Sequence, residues 1–258
     1  MAWDPTLYLK FRNERTRPAA DLAARIEVAQ PRRIIDLGCG PGNSTAILRA
    51  RWPAATVVGL DNDTEMLATA EQSDPGVRWL QGDAAAWGPA ETYDVVFSNA
   101  MLQWLPDHAA VVSRWFRAVA PGGALAVQLP THLQSPLHRH MLELAELPEW
   151  KQLLAAARQA LISHDPAFYY DILCLHAARV DLWETEYCHV MEGPEAILSW
   201  IRGTGLRPFL MALPSDDERQ RFEAKLLERV ATSYPVRRNG RVLFPFRRLF
   251  FVAYQNPA

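Results

Sequence analysis

The sequence is short of everything that would mark a secreted, metal-binding or membrane protein. Its 258 residues hold three cysteines, Cys39, Cys174 and Cys188, with no Cys-x-x-Cys spacing. That excludes a disulfide framework or a zinc knuckle and fits reduced thiols. No apolar run reaches the roughly 18 residues of a membrane-spanning helix. Asp4, Lys10, Arg12 and Glu14 charge the N-terminal stretch in a way no signal peptide does. A cytoplasmic protein is expected. Lysine is scarce too: of 27 basic residues only Lys10, Lys151 and Lys225 are lysine. A GC-rich coding sequence accounts for this, as for the abundant alanine; the alternative is that some arginines are bidentate forks for carboxylates. Composition does not separate the two. A net charge of −2 gives no general pull toward nucleic acid.

What is present is an ordinary globular composition, 49% hydrophobic and 22% charged, long enough for one large α/β domain. Its most informative stretch is Ile34-Ile35-Asp36-Leu37-Gly38-Cys39-Gly40-Pro41-Gly42-Asn43. The apolar residues predict a buried strand, and Asn43-Ser44-Thr45 before Ala46-Ile47-Leu48 predicts the start of a helix. Glycines at such a turn let a ligand lie against bare main chain. Asp61 closes the next apolar run, 19 residues beyond Gly42. An acid there is placed to accept hydrogen bonds from both ribose hydroxyls of a nucleoside. A dinucleotide site uses Gly-x-Gly-x-x-Gly, with its pyrophosphate on the helix N-terminus. Here the spacing is Gly-x-Gly-x-Gly, and Asp36 would repel a pyrophosphate but can accept from an ammonium. A dehydrogenase is therefore disfavoured.

Further along, Thr64 to Glu71 reads as helix and Val77 to Leu80 as a third strand, ending at Asp83-Ala84. Tyr93 to Asn99 is a fourth strand. Residues 108–119 have helical spacing, stopped by Pro121-Gly122-Gly123, and Ala124 to Leu129 is a fifth strand. Strands alternating with helices imply a parallel sheet with helices on both faces. Ligands then sit beyond the carboxyl ends of the strands, where Asp36, Asp61, Asp83 and Asn99 all fall. Residues 137–161 and 215–234 read as helices, and Gly193-Pro194-Glu195 opens another carrying Trp200 and Arg202. Leu182 to Tyr187 and Leu249 to Tyr254 complete the sheet as strands six and seven.

From Arg33 to Leu129 these motifs resemble those of the class I S-adenosylmethionine-dependent methyltransferases. The resemblance implies a Rossmann-like α/β fold, a seven-stranded, mostly parallel sheet with helices on both faces and a helical lid. It implies S-adenosylmethionine as cofactor. Asp36, Gly38, Cys39, Gly40 and Gly42 would line its methionine part, and Asp61 with Asn62 would hold the ribose. Asp83 would bind the adenine amino group, with Ala84 giving a backbone contact. Asn99 and Ala100 would close the pocket near the sulfonium. Met66 either packs on adenine or is plain core. The expected organisation is one domain, 1–258: an N-terminal cover (1–30), a cofactor core (31–130), and a lid with the last two strands (131–258).

Two segments outside those motifs bear on the substrate. Met1 to Phe11 with Glu14 to Ala19, and Trp200-Ile201-Arg202-Gly203-Thr204-Gly205-Leu206-Arg207-Pro208, look like the bacterial trans-aconitate 2-methyltransferase family. That resemblance implies a small tricarboxylate as partner, with neither nucleic acid nor membrane. Burying such an anion is costly unless donors meet it. Arg202 and Arg207 are the candidate forks, with Tyr8, Arg12, His132 and Trp200 as further candidates; the alternative for each arginine is solvated surface. His138 and His140 stand two apart on a helix and do not share a face, so no metal pair is expected. No catalytic base is required, because a carboxylate with a pKa around 4 is already ionised. Transfer cancels charge on the attacking carboxylate, so arginines should grip the spectators. The attacking group should face neutral groups such as Asn99, Gln103 or Trp104, with Asn99, Trp104 and His132 positioning the reactants. The remaining alternatives are an enzyme acting on another small carboxylate, a malonyl thioester or a quinone precursor, and a non-catalytic cofactor-binding module.

Overall fold

The computed structural model describes residues 12–88, 91–131 and 134–258, with residues 12–15 as backbone only. It contains one seven-stranded sheet in the order β3-β2-β1-β4-β5-β7-β6. The strands are β1 (Arg33–Leu37), β2 (Thr56–Asp61), β3 (Arg78–Gln81), β4 (Tyr93–Asn99), β5 (Val119–Pro130), β6 (Arg179–Met191) and β7 (Val242–Tyr254). The described helices are α1 (Arg12–Arg25), α2 (Asn43–Arg51), α3 (Thr64–Ser73), α4 (His108–Arg117), α5 (Pro136–Ala145), α6 (Pro166–Leu173), α7 (Pro194–Arg202), α8 (Arg207–Ala212) and α9 (Asp216–Ser233).

β1 to β5 pair in parallel: Ile35 faces Val58 on β2 and Val96 on β4, Gly59 faces Trp79, and Phe97 faces Ala126. Because strands covered on both faces need apolar residues throughout, β1 and β4 read as continuous runs. β7 runs the other way. Gly122 N–H donates to Asn256 O, Gln255 N–H to Gly123 O, and Thr131 N–H to Arg247 O, so the partner numbers fall as those on β5 rise. The order reverses between β1 and β4, which puts a binding crevice at their carboxyl ends.

The described residues divide into two compact units. The first holds Arg15–Pro130, His164–Thr185 and Leu249–Ala258; the second holds Arg12–Glu14, Thr131–Ser163 and Glu186–Arg248. In the first, Trp115, Phe97 and Phe251 are fully buried around the sheet, and Asp94 accepts the main-chain N–H groups of Arg32 and Arg33 at 2.6 and 2.9 Å. α6 joins this core through Tyr169, whose hydroxyl lies 2.7 Å from His108 Nδ1. Burial, then the neighbouring His164, lowers the His108 pKa to about 4, so this ring is neutral at physiological pH.

The second unit has its own core, with Trp150, Phe209, Phe222 and Phe244 fully buried. Trp150 meets Phe222 edge-on at 4.9 Å, and its Nε1–H donates to Glu218 Oε2 at 2.7 Å. Glu218 lies in the first turn of α9, where Ser215 Oγ caps its N–H.

Several boundaries differ from the sequence expectation. The helix at 108–119 ends at Arg117, and Pro121-Gly122-Gly123 sits inside β5 as a bulge rather than as a helix stop. Tyr93 faces Val119 and Val95 faces Ala124, so the extra residues loop out, with Gly122 at φ 72°. The helix expected over 137–161 ends at Ala145, since Pro148 disfavours helix at the preceding residue. Arg158 donates to the Ala145 carbonyl at 2.9 Å, and only a 3₁₀ turn, Ala157–Gln159, follows. β6 and β7 are longer than their apolar runs. Tyr187, His189 and Met191 are buried while Cys188 and Val190 face out, and β7 alternates similarly before Leu249. Those stretches are covered on one face only, which an apolar-run criterion misses.

The Trp150 stack generates a stability prediction. Trp150→Ala is expected to cost about 3–5 kcal/mol in urea unfolding, and Trp150→Phe clearly less, because the ring contact with Phe222 survives.

Candidate functional site

The crevice begins where β1 runs out. Gly38 turns left-handed at φ 74° and donates its N–H to Leu60 O at 2.8 Å. A Cβ at Gly38 would stand 2.2 Å from Met101 Cγ, so only glycine fits beneath that side chain. Among the described residues, nothing lies within 4 Å of where a Cβ at Gly40, φ 53°, would stand. That bare main chain is an open cradle. Cys39, between them, is buried, and burial beside Asp36 and Asp61 pushes its thiol up. It is wall, not nucleophile.

Asp61 ends β2 and ties the turn to it. Its Oδ2 accepts Gly40 N–H at 2.8 Å and its Oδ1 accepts Asp63 N–H at 2.9 Å. A carboxylate has about four lone-pair sites, so acceptor capacity remains for ribose hydroxyls. Asp63 caps α3 by accepting from Glu65 and Met66. Met66 is buried and Asn62 exposed. Asp83, exposed, accepts Ala85 N–H at 2.8 Å. Ala84 is buried, and its carbonyl accepts Trp115 Nε1–H at 3.0 Å.

Asp36 is fully buried. Its Oδ2 accepts the hydroxyls of Ser44 and Thr45, at 2.6 and 2.7 Å, from the first turn of α2. Its Oδ1 has no partner. Burial raises its pKa from 3.8 to about 6, against the lowering effect of the two hydroxyls. A buried carboxylate with one oxygen unmet fits a ligand ammonium. Asn99 repeats the pattern at the end of β4, its Oδ1 buried without a partner. Ala100 follows at φ 55°, Gln103 is buried and Trp104 is 37% exposed.

The structure therefore gathers Asp36, Gly38, Cys39, Gly40, Gly42, Asp61, Asn62, Met66, Asp83, Ala84, Asn99 and Ala100 within the first unit. Sequence reasoning missed Ser44, Thr45, Met101 and Trp79. The hydroxyls were legible as a Ser-Thr pair opening a helix below an acid. Trp79, whose ring would meet a Cβ at Gly42 or Gly59, was not.

The substrate candidates lie in the second unit or outside the described residues. Arg202 makes a two-point ion pair with Glu223, Nε to Oε1 at 2.7 Å and Nη2 to Oε2 at 2.6 Å, so its fork is occupied within the protein. Trp200 is core, 4.7 Å from the His189 ring and 6.1 Å from that of Phe246. Arg207 is half-buried at the start of α8. His138 is buried, and His140 Nε2 lies 2.8 Å from Ser233 Oγ. Tyr8, His132 and the Arg12 side chain lie outside the described residues.

A family model described as a methyltransferase domain matches residues 34–123. The trans-aconitate 2-methyltransferase of Azoarcus sp. (strain BH72) is 48% identical over 251 residues, 97% of this chain and 98% of that protein. The protein of the same name from Methylobacterium nodulans is 48% identical over 255 residues, 97% of each. Among solved structures, the YcgJ protein from Bacillus subtilis superposes with a TM-score of 0.62 at 13% identity, covering 94% of this chain and 100% of that one. That last likeness bears on the fold alone.

The Asp36 environment sets a pH dependence. Its pKa is higher folded than unfolded, so the folded state holds the extra proton between 3.8 and about 6, and stability falls as pH rises through that window. Asp36→Asn is expected to remove that fall, leaving the stability of the ligand-free protein level across the window. The same variant should bind S-adenosylmethionine more weakly. Urea titrations across the window, with and without cofactor, check both.

Proposed function

The chain belongs to the trans-aconitate 2-methyltransferase family, and on that footing we propose that it transfers a methyl group from S-adenosylmethionine to a carboxylate of trans-aconitate. The products are the monomethyl ester and S-adenosylhomocysteine. The observation that carries the reading is the extent of the likeness. It covers 97% of the chain, far beyond the residues 34–123 that carry the methyltransferase motifs. A glycine turn specifies a cofactor; the remaining residues specify an acceptor.

The residues present fit the cofactor. The open main chain at Gly40 and the unmet oxygen of Asp36 suit its methionine part, with Gly38, Cys39 and Gly42 around it. Asp61 and Asn62 take the ribose, Asp83, Ala84 and Met66 the adenine, and Asn99 and Ala100 the region of the sulfonium. When bound, S-adenosylmethionine supplies a methyl group already activated on sulfur. The acceptor carboxylate arrives ionised, so no side chain has to remove a proton from it. What is left for the protein is orientation and exclusion of water. Arg207 is the described candidate for a spectator carboxylate. Arg202 can join it only by releasing Glu223. Asn99 and Trp104 are the neutral groups suited to the attacking carboxylate, since the Gln103 amide is committed to the Ala100 carbonyl. Tyr8, Arg12 and His132 complete the proposed substrate set, and Trp200, buried in the core, supports the Arg202 helix from within rather than touching the acceptor. Among the described residues no helix is long and apolar enough to cross a membrane, and all three cysteines are unpaired. Both support a cytoplasmic enzyme.

The deciding experiment offers S-adenosylmethionine with a panel of di- and tricarboxylates, a malonyl thioester and a quinone precursor, with products identified by mass spectrometry. The monomethyl ester of trans-aconitate is expected. Turnover of a different acceptor alone would replace the assignment, and cofactor binding without turnover would favour the non-catalytic alternative. Asp61→Ala is expected to weaken cofactor binding about tenfold to a hundredfold by calorimetry, the loss of a hydrogen bond to a charged acceptor. With no base in use, kcat at saturation should stay level across neutral pH and fall only in acid, where carboxylates protonate. A limb near the histidine pKa of about 6.5 that persists in Asp36→Asn under saturating cofactor would reveal a base instead, since Asp36 itself titrates at about 6.

A further inference from the structure

Ala100 adopts the left-handed conformation, φ 55°, one residue beyond β4. An alanine is strained there as a glycine would not be. Two hydrogen bonds hold it from either side. Its N–H donates to Gln128 O at 2.9 Å, a continuation of the β4–β5 pairing in which Asn99 faces Gln128. Its carbonyl accepts Gln103 Nε2–H at 2.6 Å. That second bond comes from a buried side chain in the 3₁₀ turn Leu102–Trp104. A carbonyl only accepts, so the Gln103 amide is fixed with its nitrogen toward Ala100, leaving Oε1 buried without a partner.

The bend held in this way lies between two residues of the site. Asn99, just before it, carries the unmet buried oxygen at the end of β4. Met101, just after it, packs over Gly38 so closely that a Cβ there would clash at 2.2 Å. One backbone conformation, unfavourable for its own residue type, thus turns the chain directly after Asn99, which the β4–β5 pairing holds opposite Gln128, and sets the Met101 cover over the glycine turn.

We propose that Gln103 is a positioning residue for the methyl transfer, holding Ala100 left-handed and so fixing Asn99 and Met101 beside the turn that follows β1. It acts through the main chain and not on the substrate. The proposal rests on the methyltransferase reading given above. A displacement of about 1 Å in a reacting arrangement costs about a hundredfold in rate, which sets the scale of the effect.

Three variants test it. Gln103→Met keeps the length and volume and loses the donor. Its kcat on trans-aconitate should fall about tenfold to a hundredfold, with weaker S-adenosylhomocysteine binding by calorimetry. Adding Ala100→Gly removes the strain that drives the bend to relax, and should restore about tenfold of the loss. Gln103→Glu cannot donate when ionised but can when protonated. Its deficit relative to wild type, in binding as in rate, should therefore shrink as pH falls. Gln103→Met and Gln103→Glu indistinguishable from wild type in both readouts would overturn the proposal. So would impairment that neither Ala100→Gly nor acid relieves, since that pattern marks a packing role. If Gln103→Met does not fold, the Gln103→Glu pH series decides between the same outcomes. The binding readout needs no acceptor. A wild-type protein that fails to methylate trans-aconitate yet shows the expected binding pattern would therefore remove only the substrate assignment.

Discussion

The carboxylate of Asp61 joins the end of β2, the glycine turn after β1 and the start of α3 at one point. Its two oxygens accept main-chain N–H groups from Gly40 and Asp63. Hydrogen bonds to an ionised acceptor are about twice as strong as neutral ones. This pair adds to the bonds that Cys39 N–H gives Leu60 O and Gly42 N–H gives Cys39 O, and it fixes Gly40 at the middle of the turn. The cap of α3 by Asp63, and the burial of Met66 behind it, follow from the same anchor. A group that organises the turn in this way also sits where a nucleoside sugar would arrive. On the proposed reading, the framework and the recognition chemistry share one side chain.

Asp36 presents the opposite balance. It is buried beneath the turn, and the hydroxyls of Ser44 and Thr45 satisfy only one of its oxygens. A buried acceptor left unmet is destabilising by about 1–3 kcal/mol. The fold carries that cost at the carboxyl end of β1, at the reversal of strand order where an α/β sheet binds its ligand. Asn99 and Gln103 have unmet buried oxygens too. On the proposed reading, local rules fail at Asp36 and Asn99 because a bound cofactor completes the site, whereas the Gln103 oxygen is left over by the amide's bond to Ala100.

Much of this was legible without coordinates. β4 spans Tyr93 to Asn99 as its apolar run does, and α2 starts at Asn43 where the Asn-Ser-Thr signal stands. Both depend on local pattern, and a strand covered on two faces must be apolar along its length. The chain between Ala145 and Gln159 was less legible, since its residues are apolar at helical spacing and a proline breaks the continuity. α6 passed unnoticed although Asp165-Pro166 is a cap followed by a first-turn proline. Its eight residues are too few for a periodic pattern to stand out.

The arginines mark the boundary most sharply. That some might be forks for carboxylates was readable from residue type, and Arg202 is indeed a fork. Its partner is Glu223, far along the chain on α9. By itself the sequence determined the strands of the cofactor core, the glycine turn, the acids at the strand ends and the family. All of these reside in spacings of a few residues or in likeness along the whole chain. Only the tertiary structure decided which carboxylate each arginine meets, which oxygen of Asp36 is left over, and which side chain holds Ala100 in its strained bend. Those outcomes depend on distances between groups remote in sequence, or on a backbone angle that alanine does not announce, and pairing across such separations leaves no local pattern to read.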